Sequence, residues 1–226
     1  MQTLEVYSSI ECPFAYVAVY RLRQVYAAYA DRVAIGWRAL SLEYVNKSQT
    51  PEPTIRAELE ALQQIEPDLP VQHWTRPCWE WPTTMWPAFE ALACAQEQNP
   101  RAGFEMSWAL RYAFFAENRN IAHRHVLLET AERIAGETGL DMERFETDWD
   151  TGRYKDSIIR EARCGWHSLN VQGSPTFVLP GGMQVYSPAL AGLDFDEEEL
   201  RVRSYTPPVR PPLDVFRDLL EEATAG

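Results

Sequence analysis

Residues 8–22 read SSIECPFAYVAVYRL, and the fold turns on what the chain does at Cys12. Upstream, TLEVYSSI (3–10) is a short run of strand formers. Downstream, PFAYVAVYRLRQVYAAYA (13–30) repeats apolar residues at helical spacing, with good helix formers between them. Pro13 suits the first helical position, where its missing N–H would have no partner in any case. Cys12 therefore falls at the N-cap or beside it, with its thiol facing unpaired backbone N–H groups. Those groups and the helix dipole favour the thiolate, so the expectation is a depressed thiol pKa and a nucleophilic sulfur. Glu11 pushes the other way if its carboxylate is close. Read alone, Cys12 is equally well a small hydrophobe that closes a strand.

Past this helix, VAIGWRALSL (33–42) is a second strand, so the chain opens β-α-β with its first two strands as parallel neighbours. The polar, proline-broken NKSQTPEPTIRA (46–57) reads as a loop into a different region. That region is helical: RAELEALQQI, a proline- and tryptophan-rich crossing HWTRPCWEWPTTMW, then PAFEALACAQEQ, FEMSWALRYAFFAE, RHVLLETAERIAGETG and MERFETDWDTGRYKDSIIREARCGW, none alternating like a strand. Beta character returns in VQGSPTFVLP and MQVYSPAL, separated by Gly181 and Gly182, a hairpin signal. PPLDVFRDLLEEA closes the chain as an amphipathic helix opened by prolines. LDFDEEELRVRSYTPPVRPP (193–212), acidic and then basic, reads as a solvated connector.

The 226 residues can form one large domain or a domain carrying an insertion. Thirty-three acidic against 21 basic residues give a net charge of −12, which opposes phosphate backbones and anionic membrane surfaces. Neither nucleic acid nor membrane is expected as a partner. No stretch approaches the roughly 20 apolar residues of a membrane span, and no basic-then-apolar leader precedes the first strand, so the expected compartment is the cytoplasm. There, Cys12, Cys78, Cys94 and Cys164 are expected as free thiols. The four histidines make no metal set with them: His123 and His125, two apart, point to different sides of a helix, and no metal is expected.

A second clue is GSPTF (173–177): a proline in a strand run cannot donate to the ladder, so Pro175 belongs at a strand start or edge. A Cys-Pro opening the first helix, a helical block between two β halves and a late G-x-P-T-F strand together resemble the DsbA-like thioredoxin superfamily, in particular its FrnE-like members. FFAENRNIAHRHVL is similar to that family's helical-insert signature in its F-x-E-x-R-x-I part, and EARCGWHSLNVQGSPTFVL to its run into the proline strand. The resemblance covers nearly the whole chain. It implies an α/β, thioredoxin-like fold with an all-helical insertion between the β-α-β half and the C-terminal β-hairpin and helix half. The division expected is 1–45 with 166–226 as the thioredoxin-like domain and 46–165 as the insertion. It also implies Cys12 as the catalytic residue, Pro13, Phe14, Ser174 and Pro175 against the substrate, and Pro175 beside Cys12 with Ser174 as a main-chain contact.

The family's C-x-x-C has lost its second cysteine, which is Ala15 in CPFA. A mixed disulfide on Cys12 must then be resolved by another thiol. The resemblance thus implies a thiol-disulfide oxidoreductase acting through a single cysteine, with no tightly bound cofactor and with glutathione or another small thiol as co-substrate. Cys78 is a remote resolving thiol only if the crossing folds over the site. CPFAYVA is also similar to the S-P-Y/F-S-Y-L-A pattern of kappa-class glutathione transferases and 2-hydroxychromene-2-carboxylate isomerases, with sulfur at 12 and alanine at 15 in place of two serines. A glutathione-dependent isomerase or transferase is therefore the alternative, and a non-catalytic binding module that kept the groove is a third. The partner expected is a small molecule or a disulfide substrate, and the aromatic-rich insert offers a surface for a homodimer. Most of the insert's rings are expected in the core, with some around WEWPTTMW lining an apolar pocket over the thiol.

Overall fold

The computed structural model describes residues 1–190, 192–196 and 201–225. β1 (Gln2–Ser8) runs into α1 (Pro13–Tyr26) through a tight turn, and β2 (Val33–Ala39) pairs parallel with β1 from Gln2↔Val33 to Ser8↔Ala39. β3 (Thr176–Val178) lies antiparallel on the other side of β1, with Val6 opposite Phe177, and β4 (Gln184–Tyr186) pairs antiparallel with β3. The sheet order is β2-β1-β3-β4. β1 is thus an inner strand, and Leu4 and Val6 are fully buried. Gly182, at φ 83°, takes the left-handed conformation that the turn into β4 requires.

Between β2 and β3 the chain is helical: α2 (Leu42–Asn46), α3 (Glu52–Ile65), α4 (Trp86–Gln96), α5 (Pro100–Phe115), α6 (Arg124–Thr138), α7 (Met142–Asp150) and α8 (Lys155–Arg163). A π turn, Cys164–Ser168, continues α8, and α9 (Pro212–Ala225) packs back on α1. This is the thioredoxin-like arrangement with helices inserted between its two β halves.

α1 holds because Tyr16, Val19 and Leu22 recur at three-residue spacing and are buried, which overrides the poor intrinsic helicity of its valines. Arg21, also buried, donates through Nε to Glu66 Oε2 at 2.6 Å and through a terminal nitrogen to the Ala189 carbonyl at 2.7 Å. One guanidinium so ties α1 to the end of α3 and to the turn after β4. The crossing between α3 and α4 has no regular structure beyond one 3-10 turn, Cys78–Glu80, and is held from outside. Gln72 N–H donates to the Phe115 carbonyl, Asn118 Nδ2 to the His73 carbonyl and Asn120 Nδ2 to the Glu80 carbonyl, at 2.8, 2.8 and 2.9 Å. The two asparagines inside FFAENRNI therefore serve to dock the crossing.

Two expectations need correction. The stretch read as a solvated connector contains a second sheet, β5 (Gly192–Asp196) antiparallel to β6 (Arg201–Thr206), with the Arg203 guanidinium on Asp196 at 3.0 Å through Nε; residues 197–200 of the stretch lie outside the described residues. Charge sign alone concealed a strand pair whose two arms neutralise each other. His123 precedes α6 as its N-cap instead of lying on it, and its ring centroid is 5.7 Å from that of His125.

Candidate active site around Cys12

Cys12 is the N-cap of α1, with extended backbone angles (φ −78°, ψ 116°), and Pro13 takes the first helical position. Its thiol does not cap the helix through an ordinary side-chain bond. Sγ instead lies 3.3 Å from the carbonyl oxygen of Ser174 and donates to it. Ser174 Oγ accepts the Ser9 N–H at 2.8 Å, so this one residue contacts the strand-to-helix turn through both its carbonyl and its hydroxyl. The Ser174–Pro175 peptide bond is cis, and the Pro175 carbonyl accepts the Ser187 N–H at 2.9 Å. Cys12, Pro13 and Ser174 are buried, and Phe14 is half-buried against the main core. The geometry thus brings Cys12, Ser174 and Pro175 together. Ala15, fully buried, lies in the first turn of α1, three residues after Cys12.

The expected depression of the thiol pKa is overturned. Burial pushes the Cys12 thiol from 9.0 up to about 12, and the charge of Glu58 adds to this, against a hydrogen bond from the Ser174 side chain and the Ala15 N–H. A helix N-terminus contributes on the order of 1 kcal/mol, less than one pKa unit, which desolvation of a fully buried thiolate readily exceeds. The resting sulfur is therefore a protonated donor, and the Ser174 carbonyl accepts only that form.

Under Cys12 lies a polar cluster that the sequence reading missed. Arg111, with no exposed surface, donates to Ser107 O and Oγ at 3.0 and 2.7 Å, to Ser8 Oγ at 2.8 Å and to Ser9 O at 3.3 Å. Its guanidinium also lies 5.5 Å from the Trp37 ring centroid. Ser9 Oγ donates to Glu11 Oε2 at 2.5 Å, and burial raises the Glu11 carboxyl to about 7 despite the nearby Arg111 cation. Glu58 of α3 is also raised to about 7 by burial, and its charge reaches Cys12. The one available signal for Arg111 was its place in the apolar periodicity of WALRYAFF, where a charge has no solvent to face. Glu58 had none.

Tyr16, one turn along α1 from Cys12, donates to the Pro70 carbonyl at 2.7 Å and stacks on Phe115 at 4.7 Å and Trp108 at 5.4 Å between centroids. Phe115 also lines a small cavity, about 20 Å³, with Leu59, Trp74, Trp81 and Phe114. Trp74 and Trp81 thus border a cavity that Cys12 does not line, while Trp79 is 80% exposed and Arg76 pairs with Glu80 at 3.1 Å. Cys78 is exposed, and all four cysteines are free. Cys94 is buried, whereas Cys164 lies partly exposed in the π turn. Among the described residues, no helix is long and apolar enough to cross a membrane.

A family model described as a DSBA-like thioredoxin domain matches residues 3–195. Among solved structures, the cytosolic disulfide reductase DsbM from Pseudomonas aeruginosa with GSH aligns at a TM-score of 0.67 with 18% identity, over 97% of this chain and 97% of that one. A probable DsbA oxidoreductase from Streptomyces coelicolor aligns at 0.63 with 21% identity, over 100% and 91%. A 2-hydroxychromene-2-carboxylate isomerase aligns at 0.59 with 14% identity, over 81% and 88%. At these identities the structures share the fold. No curated protein matches the sequence.

Proposed function

This chain belongs to the DSBA-like thioredoxin domain family, and from that premise we propose that it is a thiol-disulfide oxidoreductase in which Cys12 acts alone. The observation that carries the reading is the contact of Cys12 Sγ with the Ser174 carbonyl, with Ala15 where a second cysteine would stand. An extended disulfide substrate that engages the main chain at Ser174 frees the thiol from its acceptor. The Cys12 thiolate then attacks one sulfur of the disulfide RS–SR′. A bond forms to RS, the S–S bond breaks, and R′S⁻ leaves and takes a proton. A small external thiol attacks the Cys12–SR mixed disulfide at the substrate sulfur, releasing RS–SR″ and restoring Cys12. A second external thiol then exchanges with RS–SR″ to free RSH, so that two external thiols are oxidised for each disulfide reduced. Arg111 supplies a buried positive charge beneath the turn that favours the transient thiolate. Glutathione is the small thiol we propose, because DsbM, which shares the fold, is described with GSH. Its cytosolic setting also supports a reducing compartment for this chain.

The test is a glutathione-coupled reduction of bis(2-hydroxyethyl) disulfide, with mass spectrometry of the protein after acid quenching. The reading expects turnover and a mixed disulfide on Cys12, both lost in Cys12→Ser. Turnover that persists in Cys12→Ser sinks it.

The raised pKa of Cys12 favours a second reading, in which a protonated thiol orients bound glutathione and an isomerisation proceeds without net redox change. Thiol stoichiometry separates the two: an isomerase regenerates its thiol, and a reductase consumes two equivalents per disulfide.

A further inference from the structure

A groove open to solvent, about 460 Å³ in volume, runs where α4, α7 and α8 meet and shares no residue with the surroundings of Cys12. Its walls are Trp86 and Pro87 of α4, Trp149 of α7 and Ile158 and Ile159 of α8. The Trp149 indole is fixed by donation from Nε1 to the Pro87 carbonyl at 3.1 Å, so this wall is preformed. Glu90, only 3% exposed, also lines the groove. Its Oε1 has no hydrogen-bond partner among the described residues. The cation paired with its Oε2, Lys155 Nζ, is 3.9 Å away on a side chain that is 64% exposed. That distance is beyond a hydrogen bond. A buried carboxylate oxygen without a donor is costly, and Glu90 shares the lining of the groove with Trp86 and Trp149, whose indole rings attract cations over their faces.

We propose that this groove binds a small organic cation, a primary ammonium on an aromatic or alkyl body. The ammonium donates to Glu90 Oε1, the hydrocarbon lies against Trp86 and Trp149, and Lys155 is displaced into water. An anionic ligand is disfavoured because it would meet Glu90, while Lys155 gives it only a solvated point charge.

The test follows the indole N–H resonances of Trp86 and Trp149 by NMR during titration with 2-phenylethylamine and, separately, 2-phenylethanol. The amine is expected to shift both signals saturably and to bind about tenfold or more tightly than the alcohol, the size of one charge-assisted hydrogen bond. Glu90→Gln should lose that preference, and Lys155→Met, which removes the competing cation, should tighten amine binding. Equal binding of amine and alcohol, absence of saturable shifts, or an unchanged preference in Glu90→Gln would overturn the proposal. If Glu90→Gln does not fold, the comparison of the two ligands on wild type and Lys155→Met decides it.

Discussion

Cys12 Sγ donates to the Ser174 carbonyl across 162 residues of sequence, at 3.3 Å. The bond closes the strand-to-helix turn against the loop before β3, and it requires the proton to be on sulfur. Together with burial, it makes the resting site one in which the reactive form of the cysteine is rare.

Alkylation of the native protein should accordingly start at the exposed Cys78, with Cys12 slow at neutral pH and still accelerating as pH rises towards its raised value of about 12. Iodoacetamide labelling across pH, read by peptide mass spectrometry, measures this. A Cys12 rate that levels off near or below the ordinary thiol pKa of about 8.5 would refute the raised pKa.

Ala15→Cys should supply the missing resolving thiol, because position 15 stands in the first turn of α1 at the C-x-x-C spacing from Cys12. The variant is expected to form a disulfide between Cys12 and the introduced thiol under mild oxidation, and to release a bound mixed disulfide without added thiol. Free-thiol counts before and after oxidation test this. An unchanged count contradicts the placement of Ala15 beside the sulfur.

Arg111→Met should destabilise the protein by about 3–5 kcal/mol, since it leaves Ser8, the Ser9 carbonyl and Ser107 without a buried donor and removes the cation facing Glu11. Urea denaturation monitored by tryptophan fluorescence provides the number. A loss below about 1 kcal/mol would mean that the guanidinium is dispensable to the fold.

Stability should fall as pH rises from about 4.5 to about 7. The Glu11 carboxyl is raised from 4.5 in the unfolded chain to about 7 in the folded one, so the folded state holds the proton more tightly. Its contribution, on the order of 3 kcal/mol, is complete below the unfolded value and is lost as pH rises through the folded one. Glu58, raised in the same direction to about 7, adds a like dependence. Glu11→Gln should remove part of the slope across this window in denaturation midpoints. A wild-type slope of opposite sign would show that Glu11 is not held protonated.

Much of the fold was legible because its signals are local. Pro13 at the first turn marked where α1 begins, the Gly181–Gly182 pair marked the β3–β4 turn, and apolar spacing separated strands from helices. The β5–β6 pair escaped because its acidic and then basic charges read as a solvated connector, although Leu193-Asp194-Phe195-Asp196 alternates apolar and polar as a strand does and its partner strand begins at Arg201.

That Cys12 stands at a helix N-terminus, without a second cysteine one turn on, is written in the chain itself, since both follow from CPFA and backbone geometry. The thiol's protonation is not. Burial by distant parts of the chain decides it, and the charge of Glu58 adds to it. The same holds for Arg111: its charge is plain in the sequence, but its burial beneath the turn exists only once α5 packs against the sheet. Helix ends and turns depend on bonds between near neighbours, whereas desolvation is a property of the assembled interior, and here desolvation outweighs the helix dipole at Cys12.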